Sequence, residues 1–341
     1  MKISQTLIIA EAGVNHNGSL SIAKKLIDVS VKAGADAIKF QTFKADLLVS
    51  RFAKKSDYQE RTTSKLESAY EMLENLELSE EQHVKLIKYA NKKGILFLST
   101  PFDEQSVDLL IKYKIPILKI SSGDITNLPF LQYLASKNKP IILSTGRSTI
   151  KEVKEAVTTI LKTGNTKLSL LHCVSNYPAS FNSLNLRAIE TLKKEFDLPV
   201  GFSDHTLGIE ASVAAVALGA EIIEKHFTIN KNLTGPDHRA SLDPSELEKL
   251  VESVRNIEQA LGDGIKRPAK SERCGTQLIR KGLTAKTDIK KGTILTNEMI
   301  VLKRPAKGIE PKCLDKVLGQ RVLKNIRQDM PIQWDAIKGK I

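Results

Sequence analysis

Long apolar runs are missing from this chain. No stretch of 18 or more apolar residues occurs, so no membrane span is expected. Cysteine is scarce: Cys173, Cys274 and Cys313 lie far apart and form no metal-type cluster, which leads to an expectation of reduced thiols in a cytoplasmic protein. The N-terminus becomes strand-like at Leu7 to Ala10 and has no apolar signal core or small-residue cleavage site. Aromatic residues make up 5% of the chain, too few for an obvious set of base-stacking platforms. That scarcity bears on the net charge of +13. Many lysines fall in helical stretches, such as Lys24-Lys25, Lys85 to Lys88 and Lys151 to Lys154, which read as solvated faces. Nucleic acid is therefore not the expected partner, and the positive excess suits small anionic metabolites instead. There is also no strand-linked GxGxxG, which weakens a dinucleotide-binding fold.

What is present is a rhythm. Short apolar strands are predicted at Leu7–Glu11, Ala37–Gln41, Ile95–Thr100, Ile117–Ser121, Ile141–Thr145, Leu168–His172, Val200–Ser203 and Ile222–His226. Each is followed by a segment of helical periodicity, for example Leu20–Ala33, Glu80–Lys93, Val107–Tyr113, Ile150–Leu161, Ala211–Leu218 and Pro244–Leu261. Gly34, Gly94, Gly164 and Gly219 fall where helix C-caps belong. Eight such units predict a closed (β/α)8 TIM barrel over residues 1–262 rather than an open sheet. The rhythm breaks once, between Gln41 and Ile95, where Lys44–Ser79 form a long polar insertion expected to be a lid or wall of an active site. It ends at a Gly/Lys/Pro-containing linker (263–281). A small strand-containing domain follows (282–341), with extended pieces near Leu283–Ala285, Ile289–Ile294, Met299–Leu302 and Arg321–Leu323.

Strand alternation assigns the faces. If Ile38 and Phe40 point at the helices, Ala37, Lys39 and Gln41 point into the barrel, and Lys119 and Ser121 do so by the same count. Two inward lysines are costly as unpaired ammonium groups and tolerable at a rim where they share an anion. A single lysine is equally well explained by pairing with a barrel carboxylate such as Glu11. Hydroxyls and small residues gather at the same strand ends, in Ser99-Thr100-Pro101, Ser121-Ser122-Gly123, Ser144-Thr145-Gly146 and Gly201-Phe202-Ser203. Amides, hydroxyls and lysine point charges together are how a phosphate is cradled.

His205, after strand seven, and His226, at the end of strand eight, fall on one sector of the rim. Two imidazoles plus waters would leave open positions on a divalent ion; both could equally be hydrogen-bonded rim residues. His16 reads as fixing its own loop, His172 as supporting the site, His83 as an ordinary helical residue and His238 as within reach of the rim. Glu11 points inward beside Lys39, and charge pairing is expected to lower its pKa. Ser203-Asp204-His205 holds hydrolase residue types without the nucleophile turn. The residues by themselves support a barrel enzyme acting on a small anionic substrate.

The chain resembles the sialic acid synthase family along essentially its whole length. The resemblance is carried by Glu11-Ala12-Gly13-Val14-Asn15-His16-Asn17-Gly18, Ile38-Lys39-Phe40-Gln41-Thr42, Ser99-Thr100-Pro101-Phe102 and Lys119-Ile120-Ser121-Ser122-Gly123-Asp124. Further on it is carried by Gly201-Phe202-Ser203-Asp204-His205, Glu224-Lys225-His226-Phe227-Thr228 and Gly235-Pro236-Asp237-His238. The end of the chain, with Lys303-Arg304-Pro305, is similar to that family's antifreeze-like (SAF) domain. The resemblance implies condensation of phosphoenolpyruvate with an open-chain N-acylated hexose aldehyde, such as N-acetylmannosamine or 2,4-diacetamido-2,4,6-trideoxymannose. It implies that Lys39, Thr100, Lys119, Ser122, Ser144 and Ser203 hold phosphoenolpyruvate. It implies that His205 and His226 hold Mn2+ or Mg2+, with Glu11 beside the reacting atoms. Gln41, Asp124, Tyr177 and Asp237 would contact the sugar, with Arg304 supplied by the other subunit of a homodimer whose C-terminal domains are swapped. Asp124 and Arg147 stand where the family commonly has Glu and Met, which leaves the acyl sugar open. Another phosphoenolpyruvate-dependent ketodeoxy sugar acid synthase, or a binding barrel without catalysis, remains an alternative.

Overall fold

A computed structural model of the chain describes residues 5–64, 66–273 and 275–337; Cys274 lies outside them. The chain forms two compact units, Met1–Asp263 and Gly264–Ile341. Eight parallel strands close the first unit into a barrel in chain order: β1 (Leu7–Gly13), β2 (Ala37–Thr42), β3 (Leu96–Pro101), β4 (Leu118–Ile120), β5 (Ile141–Ser144), β6 (Leu168–Cys173), β7 (Val200–Asp204) and β8 (Ile222–His226).

The predicted rhythm survives because each unit carries its own punctuation. Helix Leu20–Ala33 starts at Ser19, whose side chain accepts the Ile22 amide, and stops at Gly34 with φ 78°. Helix Pro244–Leu261 opens with a reciprocal cap, in which Asp243 accepts the Glu246 amide at 2.9 Å and Glu246 accepts the Asp243 amide at 2.8 Å.

Alternation divides the strand residues between two cores. Ile8, Ala10, Ile38, Phe40, Leu118, Ile120 and Phe202 pack outward against the helices. Ile9, Ala37, Leu98, Ile142, Leu171 and Ile222 meet inside the barrel as an apolar plug. One residue pair further along the strands the interior turns polar, with Glu11, Lys39, Lys119, Ser144, Ser203 and Glu224 all buried. The plug closes the barrel from below, so these charges can be solvated only by one another or by something entering at the C-terminal rim. Gly201 allows the close approach of β7 and β8, since a Cβ there would lie 2.3 Å from the Ile222 carbonyl oxygen.

The long insertion is not a plain loop. It carries three short helices, Ala45–Leu48, Asp57–Thr62 and Ala69–Glu74. Val14, Phe43, Met72 and Leu76 form a small apolar cluster beneath it. The Gly235 amide donates to the Thr62 carbonyl at 3.3 Å and the Thr62 hydroxyl to the Pro236 carbonyl at 3.3 Å, joining the insertion to the loop after β8.

The second unit has its own core, built on Leu283, Ala285, Ile289, Leu295, Val317, Val322, Ile326 and Ile332. An antiparallel pair, β9 (Gly282–Ala285) and β10 (Ile300–Lys303), anchors it, and other extended pieces among the described residues meet as isolated bridges such as Ile289 with Ile326. Short helices at Lys270–Arg273 and Thr276–Ile279 interrupt the stretch read from sequence as a linker. No helix among the described residues is long and apolar enough to cross a membrane.

Candidate active site

The polar tier opens at the rim into a cavity lined by residues from all eight strands or the loops that follow them. Its floor is a buried quartet of two ammonium groups and two carboxylates. Lys39 Nζ lies 2.7 Å from Glu11 Oε2 and 3.6 Å from Glu224 Oε2, and it donates to the Thr100 hydroxyl at 2.9 Å. Lys119 Nζ lies 3.5 Å from Glu224 Oε1 and donates to the Ser144 hydroxyl at 2.7 Å and to the Ile120 carbonyl at 3.1 Å. The Ser203 hydroxyl donates to Glu224 Oε1 at 2.9 Å. Glu224 is therefore the hub that joins both lysines.

The electrostatics of the quartet are asymmetric. Burial pushes both lysines toward the neutral form. At Lys39 the two carboxylates outweigh burial and raise its pKa, whereas at Lys119 the more distant Glu224 does not, and its pKa falls. Burial also opposes charge on Glu224, but Lys119 and Lys39 overcome it and hold the carboxyl down at about 2. Glu11 goes the other way. Burial, reinforced by the negative charge of Glu224, outweighs Lys39 and raises it to about 7. This corrects the expectation of a lowered pKa: pairing with Lys39 is present, but burial outweighs it.

Beside the quartet, the rings of His205 and His226 have centroids 5.5 Å apart. His205 Nδ1 contacts the Val174 carbonyl at 2.9 Å, which leaves Nε2 toward the cavity. Burial, then the proximity of His205, keeps His226 well below the usual imidazole range and hence neutral, as a metal ligand must be. Its buried Nδ1 has no hydrogen-bond partner, and Asp237 Oδ2 lies 3.9 Å from it. Burial raises Asp237 to about 6. Among the described residues no three His, Cys, Asp or Glu side chains form a ready metal cage. A neutral imidazole with an unpartnered nitrogen, beside a second imidazole oriented by a carbonyl, nonetheless suits a divalent ion with open positions. Gly13, at φ 51°, makes room for this corner: a Cβ there would lie 3.3 Å from both Glu11 Oε1 and His226 Cε1.

Most residues singled out from sequence converge. Glu11, Lys39, Gln41, Thr100, Lys119, Ser122, Ser144, Tyr177, Ser203, His205 and His226 all line the cavity. Asp237 sits just behind His226. Asp124 does not line the wall; it is half-buried in a single 3-10 turn with its carboxylate 3.5 Å from the Asn127 amide. Arg304 follows β10 in the second unit and is exposed. His172 does not support the site: it faces the helix layer, contacting the Leu184 carbonyl at 2.7 Å and stacking on Phe202. His238 also points away, contacting the Thr228 hydroxyl at 2.7 Å and Asn17 Oδ1 at 3.2 Å. His16 does fix its loop, accepting the Gly18 amide at 3.0 Å.

Sequence reasoning missed Glu224, Cys173, Ser175 and Phe102, which also line the cavity. For Glu224 the signal was available, since the alternation that turns His226 inward turns Glu224 inward too. It missed Tyr58 as well. This residue rides on insertion helix Asp57–Thr62 and stacks on Tyr177 with centroids 5.1 Å apart, while Tyr177 lies 4.2 Å from the His205 ring. The insertion is thus a wall of the site mouth.

Comparison with known proteins agrees with this geometry. The NeuB family profile matches residues 26–266 and the SAF domain profile residues 280–338. The chain is 51% identical to the N,N'-diacetyllegionaminic acid synthase of Campylobacter jejuni, covering 96% of this chain and 98% of that one. It is 38% identical to the human N-acetylneuraminate-9-phosphate synthase, over 97% of this chain and 92% of that one. Among solved structures, the N-acetylneuraminic acid synthetase of Leptospira borgpetersenii in complex with citrate superposes with a TM-score of 0.69 at 39% identity, covering 79% of this chain and 89% of that one. Eight closed strands, a polar C-terminal rim and these matches together place the chain in the NeuB family of phosphoenolpyruvate-dependent, carbon–carbon bond-forming transferases that make nine-carbon keto sugar acids.

Proposed function

We propose that this enzyme condenses phosphoenolpyruvate with an open-chain N-acylated mannose-type aldehyde and water, releasing phosphate and a nine-carbon 2-keto-3-deoxy sugar acid. The product is N-acetylneuraminate or N,N'-diacetyllegionaminate, and relatives named for the latter at 51% and 48% identity favour the diacetamido sugar. One observation carries the reading: two lysines from different strands converge on Glu224 beside two imidazoles 5.5 Å apart.

In this reading Lys39, Thr100, Lys119, Ser122, Ser144 and Ser203 grip the phosphate and carboxylate of phosphoenolpyruvate. Of the two lysines, Lys119 is the one whose charge burial, on balance, disfavours, and so the one with more to gain from the anion. His205 and His226 hold Mn2+ or Mg2+, which when bound supplies Lewis acidity toward an aldehyde oxygen. Gln41, Tyr177 and Asp237, with Arg304 from a second copy in a swapped homodimer, orient the sugar. The nucleophilic carbon three of phosphoenolpyruvate attacks the aldehyde carbon, leaving cationic character at carbon two. Water adds there, and Glu11, poised near neutrality, takes one of its protons and passes it to the alkoxide left on the former aldehyde carbon, while the other leaves with phosphate. The tetrahedral intermediate then expels phosphate by C–O cleavage. Holding two reactants in line can supply up to roughly 7–11 kcal/mol in well-oriented reactions.

The test is phosphate release with Mn2+ across a panel of N-acetylmannosamine, its 6-phosphate and the diacetamido-trideoxy sugar, with product masses measured. A nonulosonate mass with one of the unphosphorylated sugars is expected. Phosphoenolpyruvate binding without phosphate release on any of them would refute the reading.

A further inference from the structure

Between the cavity-facing residues of β7 and β8 sit two charged residues that the chemistry above does not use. Alternation turns Asp204 and Lys225 away from the cavity, and they are register partners at the last rung of the β7–β8 ladder. Their side chains are 0% and 1% exposed, with Lys225 Nζ 2.8 Å from Asp204 Oδ2. Every polar atom of the pair is engaged. Asp204 Oδ1 accepts the Thr206 amide and the Thr206 hydroxyl, each at 2.8 Å, and Oδ2 also accepts the Ser212 hydroxyl at 2.6 Å. Lys225 donates in addition to the Thr206 carbonyl at 2.9 Å.

Stability alone does not account for such a pair. Desolvating two charges costs several kcal/mol, and apolar replacements of similar volume are often neutral or better. Its connections are more telling. His205 lies one residue beyond the ladder and has no strand partner of its own. The ion pair grips the residues on both sides of His205, Asp204 and Thr206, and ties them to Lys225, which immediately precedes His226. One network thus extends the rigidity of the sheet to the imidazole that the sheet itself does not hold.

We propose that Asp204 and Lys225 are positioning residues that fix the separation of the His205 and His226 main chains and so set divalent-cation affinity. This rests on the reading that the two imidazoles hold a cation. Partners that orient ligands from behind typically contribute about 10- to 100-fold to metal affinity.

The test uses the full-length chain stripped of metal. Mn2+ is titrated and the free ion read by electron paramagnetic resonance, with a parallel metal-free phosphoenolpyruvate titration. Lys225→Met is expected to weaken Mn2+ binding about 10- to 100-fold while leaving phosphoenolpyruvate binding in place, because Lys39 and Lys119 stand on other strands. Lys225→Arg keeps a cation at the carboxylate and is expected to restore most of the loss. The double variant Asp204→Leu/Lys225→Met, an apolar pair, is expected to melt near wild type and still bind Mn2+ weakly. Wild-type Mn2+ affinity in Lys225→Met would overturn the proposal. So would a parallel loss of both ligands in Lys225→Met with no rescue by Lys225→Arg, which is the outcome of general loosening and stays readable if the double variant does not fold. A wild-type protein that takes up no Mn2+ would sink the two-imidazole cation site itself, and this inference with it.

Discussion

Replacing Lys119 by Met removes one ammonium group while keeping the length and most of the volume of the side chain. In the free protein the loss is cushioned. Glu224 keeps Lys39 at 3.6 Å and the Ser203 hydroxyl at 2.9 Å, so no carboxylate is stranded. A hydrogen bond to a charged group contributes about 1.5–3 kcal/mol. At 1.4 kcal/mol per tenfold, Lys119→Met should therefore weaken phosphoenolpyruvate by roughly 10- to 150-fold, with a small change in melting temperature. Lys39→Met should behave differently. It removes the nearest cation of Glu11, at 2.7 Å, together with one of the two cations of Glu224, at 3.6 Å, and breaking a buried pair in this way costs about 3–5 kcal/mol of stability. Calorimetric titration of phosphoenolpyruvate, kcat/KM for the same substrate and thermal melts of both variants separate the two effects. An unchanged kcat/KM in Lys119→Met, or a larger stability loss there than in Lys39→Met, would refute the reasoning.

Two further outcomes follow from the same geometry. Glu11 has a folded-state pKa of about 7 against an ordinary 4.5, so between those values the native protein binds more protons than the unfolded one and its stability falls as pH rises. Thermal melts from pH 4.5 to 7 should show that slope flattened in Glu11→Gln, and an identical slope in both proteins would contradict the assignment. Tyr58→Ala removes a stacked ring contact worth about 0.5–1.5 kcal/mol from the wall above Tyr177. It should raise KM for the sugar and leave KM for phosphoenolpyruvate unchanged; equal changes in both would argue against a sugar-side wall.

Much of this architecture is legible in the chain because two simple periods coincide with it. The strand at Ile222–His226 and the helices at Leu20–Ala33, Glu80–Lys93 and Pro244–Leu261 fall where the pattern predicts, since capping residues and glycines mark their ends locally. Lys39 and Lys119 announce themselves as charges at inward positions of apolar strands. What depends on distances between strands is not legible. Glu11 looks like a simple partner of Lys39 until its complete burial and the nearby charge of Glu224 are seen to outweigh that one ammonium. His172 fails for a one-residue reason: it occupies the outward position at the end of β6, and its neighbour Cys173 takes the inward one. Tyr58 reaches the site through the insertion, whose path no periodicity encodes.

An anion grip and a cation grip sharing one cavity place phosphorus near the metal ion, and nuclear relaxation measures that proximity directly. The 31P resonance of phosphoenolpyruvate bound to the enzyme should broaden strongly when Mn2+ is added, and the broadening should vanish in His205→Ala while phosphoenolpyruvate still binds. A 31P signal that ignores Mn2+ in the wild-type enzyme, with both ligands shown to be bound, would contradict it.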